Sequence, residues 1–420
     1  MKKHDPSGVK TLYIPYMSDH GLVVAAALEA NGLPVVAMPP PDDESLTTGL
    51  DLCRGRECLP CFLIVGDVIR RLQGPGIEPA RAALLLPTTG GLCRLGQYPV
   101  LLRALLEEHG LGDVEIVSPS AQNSYHGFGE NSLALRRQIW QGAVAVDALQ
   151  KLLHQSRPYE IEEGASDAAY QASLGEIVDA VRRGAGEPLV EAMQRTARRF
   201  ADLALDRSER RPLIGLVGEI YVRLNPFSNQ QVIRQIEAVG GEVTVATLCE
   251  WLYFTNWLYA QLNWSLGKYV TFATVWLSDR YQRLEERRVV EPVRALLRDP
   301  YETPTGELMR HLSPHYEPVL GLETEAGITI GKAVELARQR ANGIVNVMPF
   351  NCMPGIVVAA MAPRFRSDVV DIPWLDISFD AQGATNIRTR LEAFLYQARQ
   401  HQRRTRHAAT TAGDRLAARS

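Results

Sequence analysis

Residues 11–39 read TLYIPYMSDHGLVVAAALEANGLPVVAMP, and this stretch predicts the fold class of the chain. The segment TLYIPY is typical of a strand, and LPVVAMP of a second one. Between them, Ser18 is expected to cap a helix formed by GLVVAAALEANG that ends at Gly32. Two apolar strands joined by a helix form a βαβ unit, in which the strands lie parallel and helices cover the sheet.

The same alternation of strand and helix continues along most of the chain. AALLLP and VEIVSPS predict further strands of the first unit, and PLIGLVGEI, EVTVATL, IVNVMPF and WLDISF predict strands of a second. We therefore predict an α/β protein with two Rossmann-like parallel-sheet domains and a functional cleft between them. The predicted segments are a first domain 1–156, a helical connector 157–211, a second domain 212–399 with a long helical insertion, and a flexible basic tail 400–420.

Composition narrows the range of functions. The chain has 420 residues, 46% of them hydrophobic, and a net charge of −3, so its surface is not that of a nucleic-acid-binding protein. It contains no run of 18 apolar residues, and the start MKKHDPSGVK is not followed by the apolar core of a secretory signal. We expect a cytoplasmic protein with no membrane segment. Its thiols would be reduced, which favours metal or redox chemistry over disulfides.

The six cysteines are unevenly placed, and three of them follow apolar runs that read as buried strands. Binding groups collect beyond the carboxyl ends of strands in an open α/β sheet, so thiols from separate loops are expected to meet there. This pattern indicates a metal centre, with an iron–sulfur cluster as the leading candidate. The clustered cysteines are Cys53, Cys58, Cys61 and Cys93, the distant ones are Cys249 and Cys352, and those that follow apolar runs are Cys93, Cys249 and Cys352.

Other interpretations of the cysteines stay open from spacing alone. A buried cysteine often serves as a small hydrophobic side chain. Cys58 and Cys61 form a CxxC pair that a zinc site would use, although a structural zinc site usually has a second such pair. Pro60 predicts that a helix begins beside these thiols, and a helix N-terminus lowers a thiol pKa and so favours the thiolate that binds metal.

Five segments resemble one known family. They are ECLP at 57–60, PTTGGLCRLGQY at 87–98, SERRPLIGLVGEIYVRLNPFSNQ at 208–230, NVMPFNCMPG at 346–355 and TNIRTRLEAFLYQA at 385–398. Together they are similar to the C-terminal region of the acyl-CoA dehydratase activase-related proteins. That region is related to subunits of 2-hydroxyacyl-CoA dehydratase and benzoyl-CoA reductase and to the double-cubane cluster proteins. The resemblance extends from about Leu12 to Arg399.

The resemblance implies an oxygen-sensitive iron–sulfur protein that is reduced at very low potential. The electron donor would be a separate ATP-hydrolysing activase with its own 4Fe–4S cluster. Cys58, Cys93 and Cys352 match the recurrent cysteines of the family best. If Cys53, Cys61 and Cys249 also bind metal, six thiolates would suffice for a double-cubane 8Fe–9S centre. Otherwise three thiolates would hold a single 4Fe–4S cluster with one iron open.

The chain offers no ATP site of its own by motif. GxxxxGK[ST] is absent, and no G-x-G-x-x-G follows a predicted strand. We therefore expect ATP hydrolysis on the activase partner, and a homodimer or heterodimer. The first functional hypothesis is a reductase or a dehydratase of the 2-hydroxyacyl-CoA type, acting on a small molecule or an acyl-CoA. The alternatives are a non-catalytic electron-transfer or cluster-delivery subunit and a zinc-stabilised binding module.

Polar residues near predicted strand ends are candidates for catalysis. His20 with Asp19 is a possible acid–base pair, although capping of the following helix by Ser18 and Asp19 explains the same residues. Asn225 and Ser228, in NPFSN, are candidate ligand-binding groups or simple turn residues. Weaker candidates lie in two polar stretches: Tyr125, His126, His311 and His315.

Overall fold

A computed structural model describes residues 10–89, 93–120, 132–310, 312, 324–339, 341–368, 371–382 and 386–417. It is an α/β structure with two four-stranded sheets, each of them entirely parallel. This confirms the predicted fold class and is consistent with two Rossmann-like units.

The first unit has the strand order β2-β1-β3-β4, so β1 and β3 lie at the centre of the sheet. Leu12 of β1 pairs with Val35 on one side and with Ala83 on the other. The elements are β1 (Thr11–Ile14), α1 (His20–Ala30), β2 (Val35–Ala37), α2 (Asp43–Leu52), α3 (Leu59–Leu72), β3 (Ala82–Leu85), α4 (Tyr98–Glu108), β4 (Glu115–Val117) and α5 (Ser132–Ser156).

Two helices, α6 (Ala165–Arg182) and α7 (Glu187–Ala201), follow α5 in the segment predicted as a connector. They pack against each other, and α6 also packs against α1 and α5. The apolar side of α7 is buried at Leu189 and Met193. These helices therefore pack against the helices of the first unit as well as joining the two units.

The second unit has the strand order β6-β5-β7-β8. All seven residues of its central strand β7 are buried, as expected for a parallel strand that is covered on both faces. The elements are β5 (Leu213–Gly218), α8 (Ile220–Leu224), α9 (Val232–Ala238), β6 (Glu242–Val245), α10 (Leu248–Ser265), α11 (Tyr269–Val290), α12 (Thr305–Arg310), α13 (Ala326–Arg338), β7 (Gly343–Pro349), α14 (Met353–Asp368), β8 (Trp374–Phe379) and α15 (Ile387–Ala417).

The helix α5 packs against elements of both units. It contacts α1 in the first unit and β6, α10 and α11 in the second. One cluster of buried apolar side chains likewise includes Leu63 of α3 and Val347 of β7. The carboxyl ends of the two sheets are thereby held close to one another.

Two local predictions differ from the structure. Asp19, not Ser18, occupies the N-cap position of α1, and the Ser18 hydroxyl contacts the His20 ring instead. The segment predicted as a flexible tail continues α15 as far as Ala417, because its arginine, glutamine and alanine residues are good helix formers. None of the described helices combines the length and the apolar character needed to cross a bilayer.

Candidate functional site

A cavity of about 380 Å³ lies where the carboxyl ends of the strands of both sheets meet. Residues that follow β1, β3, β5 and β7 all contribute to its wall, for example Pro15, Pro87, Glu219 and Cys352. This is the place where open α/β sheets bind their ligands. The volume falls in the range of small-molecule sites, roughly 300–1,000 Å³.

Three cysteines from three separate loops line this cavity. They are Cys58, Cys93 and Cys352. Cys58 precedes α3, Cys93 precedes a short 3₁₀ turn at Arg94–Gln97 that leads into α4, and Cys352 precedes α14. Each thiol therefore lies at the start of a helical segment, where the backbone dipole favours a negative charge.

The Cys58 thiol has a buried hydrogen-bond partner. Its Sγ lies 2.7 Å from the hydroxyl of Tyr98, the first residue of α4. Burial raises the pKa of Cys58, and the hydrogen bond with Tyr98 opposes that rise. When Cys58 is a thiolate, the tyrosine must be the donor, because a thiolate has no proton to donate.

Arg94 connects the three cysteine loops. Its Nη1 donates to the carbonyl oxygen of Arg56 at 2.6 Å, and its Nη2 donates to the carbonyl oxygen of Asn351 at 2.8 Å. Asn351 has a positive φ of 57°, in the left-handed region that asparagine tolerates better than most residues. One side chain beside Cys93 thus holds the backbones next to Cys58 and Cys352.

Without a metal, the cavity disfavours thiolates. Burial raises the pKa of Cys93 to about 12, and it raises the pKa of Cys352 strongly. The carboxyl groups of Glu325 and Glu219 add to both effects. A metal that binds these sulfur atoms would have to supply the positive charge, and protons would leave the thiols as it binds.

Two buried carboxyl groups also line the cavity. Glu219 caps α8 by accepting hydrogen bonds from the backbone N–H groups of Tyr221 (3.1 Å) and Val222 (2.9 Å). Glu325 accepts one from the N–H of Ile220 at 3.3 Å. Burial, with a further contribution from Glu219, raises the pKa of Glu325 to about 8. This places a carboxylic acid that is protonated near neutral pH beside the thiols.

Cys53 and Cys61 interact with each other next to Cys58. The interaction with Cys53, together with burial, raises the pKa of Cys61 strongly, and the charge of Cys58 adds to the rise. Both side chains are buried, and neither is among the described residues that line the cavity. All six cysteines are free thiols.

Cys249 lies apart from the other cysteines, as the second residue of α10. Its backbone N–H donates to Asp147 Oδ2 at 2.9 Å, and burial, followed by the charge of Asp147, raises its pKa. The neighbouring Leu248 lines the cavity, but Cys249 is not among the described lining residues. The structure therefore does not bring all six cysteines to one place.

The side chains of Asp19 and His20, predicted as an acid–base pair, have different partners. Asp19 accepts hydrogen bonds from the hydroxyls of Tyr16 (3.0 Å) and Tyr170 (2.5 Å). His20 lines the cavity, yet its Nδ1 contacts Ser18 Oγ at 2.9 Å and its Nε2 contacts Asp147 Oδ1 at 3.0 Å. With both ring nitrogens occupied, His20 joins the start of α1 to α5 and has no nitrogen left for a ligand.

Asn225 and Ser228 form a turn instead of contributing to the cavity. Asn225 Oδ1 accepts a hydrogen bond from the N–H of Ser228 at 3.0 Å, and Ser228 Oγ donates to the carbonyl of Asn225 at 2.9 Å. Both side chains are buried, and neither is among the described residues of the cavity wall. Tyr125, His126, His311 and His315 lie outside the described residues.

Sequence reasoning missed five polar residues of this region. Glu219 lies at the carboxyl end of the predicted strand PLIGLVGEI, so a search of strand ends would have found it. Asp147 is a lone acidic residue in the apolar helix segment QGAVAVDALQ, which is a signal for a buried partner. The roles of Tyr98, Arg94 and Glu325 depend on contacts between distant segments that carry no local signal.

The described part of the chain contains no group of three or more histidine, cysteine, aspartate or glutamate side chains arranged to hold a metal ion. No protein-family model matches the chain, and no curated protein matches its sequence.

Proposed function

We propose that this protein binds a 4Fe–4S cluster through Cys58, Cys93 and Cys352. The observation that carries the proposal is that these three thiols, from loops far apart in sequence, line one cavity at the carboxyl ends of both sheets. They are also the three cysteines for which the family resemblance is strongest.

The donor set fits such a cluster. Thiolates are the usual ligands of iron–sulfur clusters, and soft sulfur donors select these clusters or zinc. A cluster spreads its ligands over several irons, so its thiolates need not converge as closely as the ligands of a single ion do. The absence of a single-ion group among the described residues therefore does not conflict with a cluster. It gives the zinc alternative no support.

The absence of Cys53, Cys61 and Cys249 from the described cavity wall favours one cluster over a double cubane. A double cubane would need six thiolates around one centre. Cys53 and Cys61 instead face each other, and Cys249 lies beside Asp147. Three thiolates per cluster would leave one iron without a protein ligand from this set.

A cluster held by these cysteines would supply low-potential electron-transfer chemistry beside the cavity. Around it, Tyr98 would donate a hydrogen bond to the Cys58 sulfur, and Arg94 would fix the spacing of the three loops. Glu325 would hold a proton within the cavity. These are the functions that a reductase or a dehydratase needs from its side chains.

We further propose that the electron comes from a separate ATP-hydrolysing 4Fe–4S activase. The support is the family resemblance together with the absence of an ATP-binding motif in the sequence. The cavity favours an enzyme over a purely electron-transferring subunit, because electron transfer alone requires no space for a small molecule beside the thiols.

The test is a metal analysis of anaerobically purified protein. Iron, acid-labile sulfide and zinc are measured per chain, and an EPR spectrum is recorded after reduction with dithionite. About four irons with matching sulfide and a reduced-cluster signal support the proposal, whereas about eight irons support a double cubane. One zinc without sulfide would refute the iron–sulfur proposal.

A further inference from the structure

The cavity extends beyond the cysteines along the faces of two long helices. On α5 the residues Arg136, Ile139, Trp140 and Ala143 line it, at the three-, four- and seven-residue spacings of one helix face. On α10, Trp251 and Leu252 lie in the same wall. This helical end of the cavity is mostly apolar, so it suits a hydrophobic ligand body.

Arg136 is a charged residue in this mostly apolar wall, which also includes the polar residues Thr255, Asn256 and Gln282. The guanidinium forms no hydrogen bond or ion pair with any described residue, and it is half-buried. Burial lowers its pKa, and no carboxylate of a described residue offsets the loss of hydration. A cation in this situation gains most from an anionic ligand, because a carboxylate accepts two of its N–H groups at once.

The neighbouring Arg137, unlike Arg136, already has partners. Arg137 donates to Glu285 at 3.0 Å and stacks over the ring of Tyr281, so its charge is already paired. Arg94, the other arginine in the described wall, donates to two carbonyl oxygens. The described wall thus offers one uncommitted cation, which matches a single negative charge.

The two ends of the cavity differ in charge. The cysteine end carries Glu219 and Glu325 together with Arg94, whose guanidinium is already bonded to two carbonyl oxygens, and so attracts a carboxylate less than Arg136 does. An anionic ligand would therefore place its charge at Arg136 and its apolar part toward the thiols. A ligand with several phosphate groups would leave most of its charge uncompensated in this wall.

We propose that the cavity binds a small apolar molecule with one free carboxylate, held at Arg136, with its apolar end directed toward Cys58, Cys93 and Cys352. The proposal depends on the proposed function at one point: it takes the bound acid to be the substrate of the enzyme. The binding site itself is a separate claim and is tested separately.

Binding is measured by isothermal titration calorimetry on the anaerobically purified full chain, with iron determined in the same sample. The probes are octanoate and 4-phenylbutanoate, with octanamide and octanoyl-CoA for comparison. We expect an acid to bind and the neutral amide to bind at least about tenfold more weakly, as loss of a charge-assisted hydrogen bond implies. The CoA thioester should bind more weakly than octanoate.

Variants of Arg136 test whether the ligand carboxylate binds at this side chain. Arg136→Leu should weaken acid binding about tenfold or more, and Arg136→Lys should retain most of it. Arg137→Gln is the matched control on the same helix and should leave it unchanged. Failure of both acids to bind at millimolar concentration would overturn the proposal. So would equal binding of acid and amide, tighter binding of the thioester, or unchanged acid binding in Arg136→Leu.

The two proposals fail in different ways. If the protein contains no iron but binds octanoate through Arg136, the cluster proposal is refuted and the acid site is supported. If the protein contains iron but binds neither acid, the acid site is refuted and the cluster proposal is unaffected.

Discussion

Arg94 donates a hydrogen bond of 2.8 Å to the carbonyl oxygen of Asn351, which lies 257 residues further along the chain. The second bond of the same guanidinium, to the carbonyl of Arg56, joins the loop that carries Cys58. The side chain next to Cys93 therefore connects the two sheet units at the point where their cysteines meet.

Replacing Arg94 by methionine keeps the aliphatic stem and removes both hydrogen bonds. We expect a loss of about 1–3 kcal/mol in the free energy of unfolding, because the donor is charged and two carbonyls lose their partner. We also expect faster loss of iron in air. Thermal unfolding and the time course of iron release measure the two effects. Arg103→Met is the control, since Arg103 has one exposed bond to the carbonyl of Gly112. Equal effects of both variants would contradict the role given to Arg94.

Tyr98→Phe removes the hydrogen bond to the Cys58 sulfur with little change in shape. Hydrogen bonds to cluster sulfur atoms raise the reduction potential, so we expect a more negative midpoint potential in the variant. An EPR-monitored redox titration measures the shift. Tyr221→Phe serves as the control, because Tyr221 lines the cavity but bonds to the carbonyl of Tyr16 at 3.4 Å. An unchanged potential in Tyr98→Phe would argue against Cys58 as a ligand.

Glu325→Gln should change how the stability of the cluster-free protein depends on pH. The folded pKa of about 8 lies above the ordinary value of 4.5, so the folded chain binds this proton more tightly than the unfolded chain does. Wild-type stability is therefore highest below pH 4.5 with respect to this group, and it falls as the pH rises toward 8.

The variant lacks this proton and should lose less stability between pH 5 and pH 8. Thermal unfolding at several pH values measures the difference. Glu307→Gln, at an exposed position of α12, should match the wild type. Parallel pH curves for wild type and Glu325→Gln would show that the carboxyl is not held in its protonated form.

The position of Gly218, at the end of β5, has no room for a side chain. Its φ is +114°, and a Cβ atom would lie 2.0 Å from the carbonyl oxygen of Val347. Gly218→Ala should cost more than about 3 kcal/mol of unfolding free energy and displace Glu219 from the cavity. Chemical denaturation measures the loss. Gly175→Ala, in α6 with no atom within 4 Å of a Cβ, should be neutral or stabilise by about 0.5–1 kcal/mol. Similar stabilities for the two variants would contradict the contact at Gly218.

The strand ends were predictable, and with them the meeting of two cysteines, Cys93 and Cys352, each of which follows an apolar run. Cys249 was expected to join them on the same grounds and does not, whereas Cys58 follows no strand and was indicated by the family resemblance. The two-unit parallel architecture then requires these loops to point to the same side. This part of the site follows from the alternation of strands and helices in the sequence.

The other contacts depend on tertiary packing that no local pattern encodes. Cys249 also follows a strand, but the docking of α10 on α5 turns its backbone toward Asp147. The His20 ring contacts the carboxylate of the same Asp147, which lies 127 residues away in the sequence. His20 therefore does not pair with Asp19 as predicted. The sequence does not distinguish Arg136 from its neighbour Arg137. Only the position of Glu285 in the structure shows that Arg137 is paired.

The central claim is tested most directly by iron and sulfide content in four single variants, purified without oxygen alongside the wild type. We expect Cys58→Ser, Cys93→Ser and Cys352→Ser each to lose most of the iron and sulfide that the wild type contains. Cys249→Ser, which removes a buried thiol beside Asp147, should keep them. Full iron in any of the first three variants, or loss of iron in Cys249→Ser alone, would contradict the ligand set proposed for this cavity.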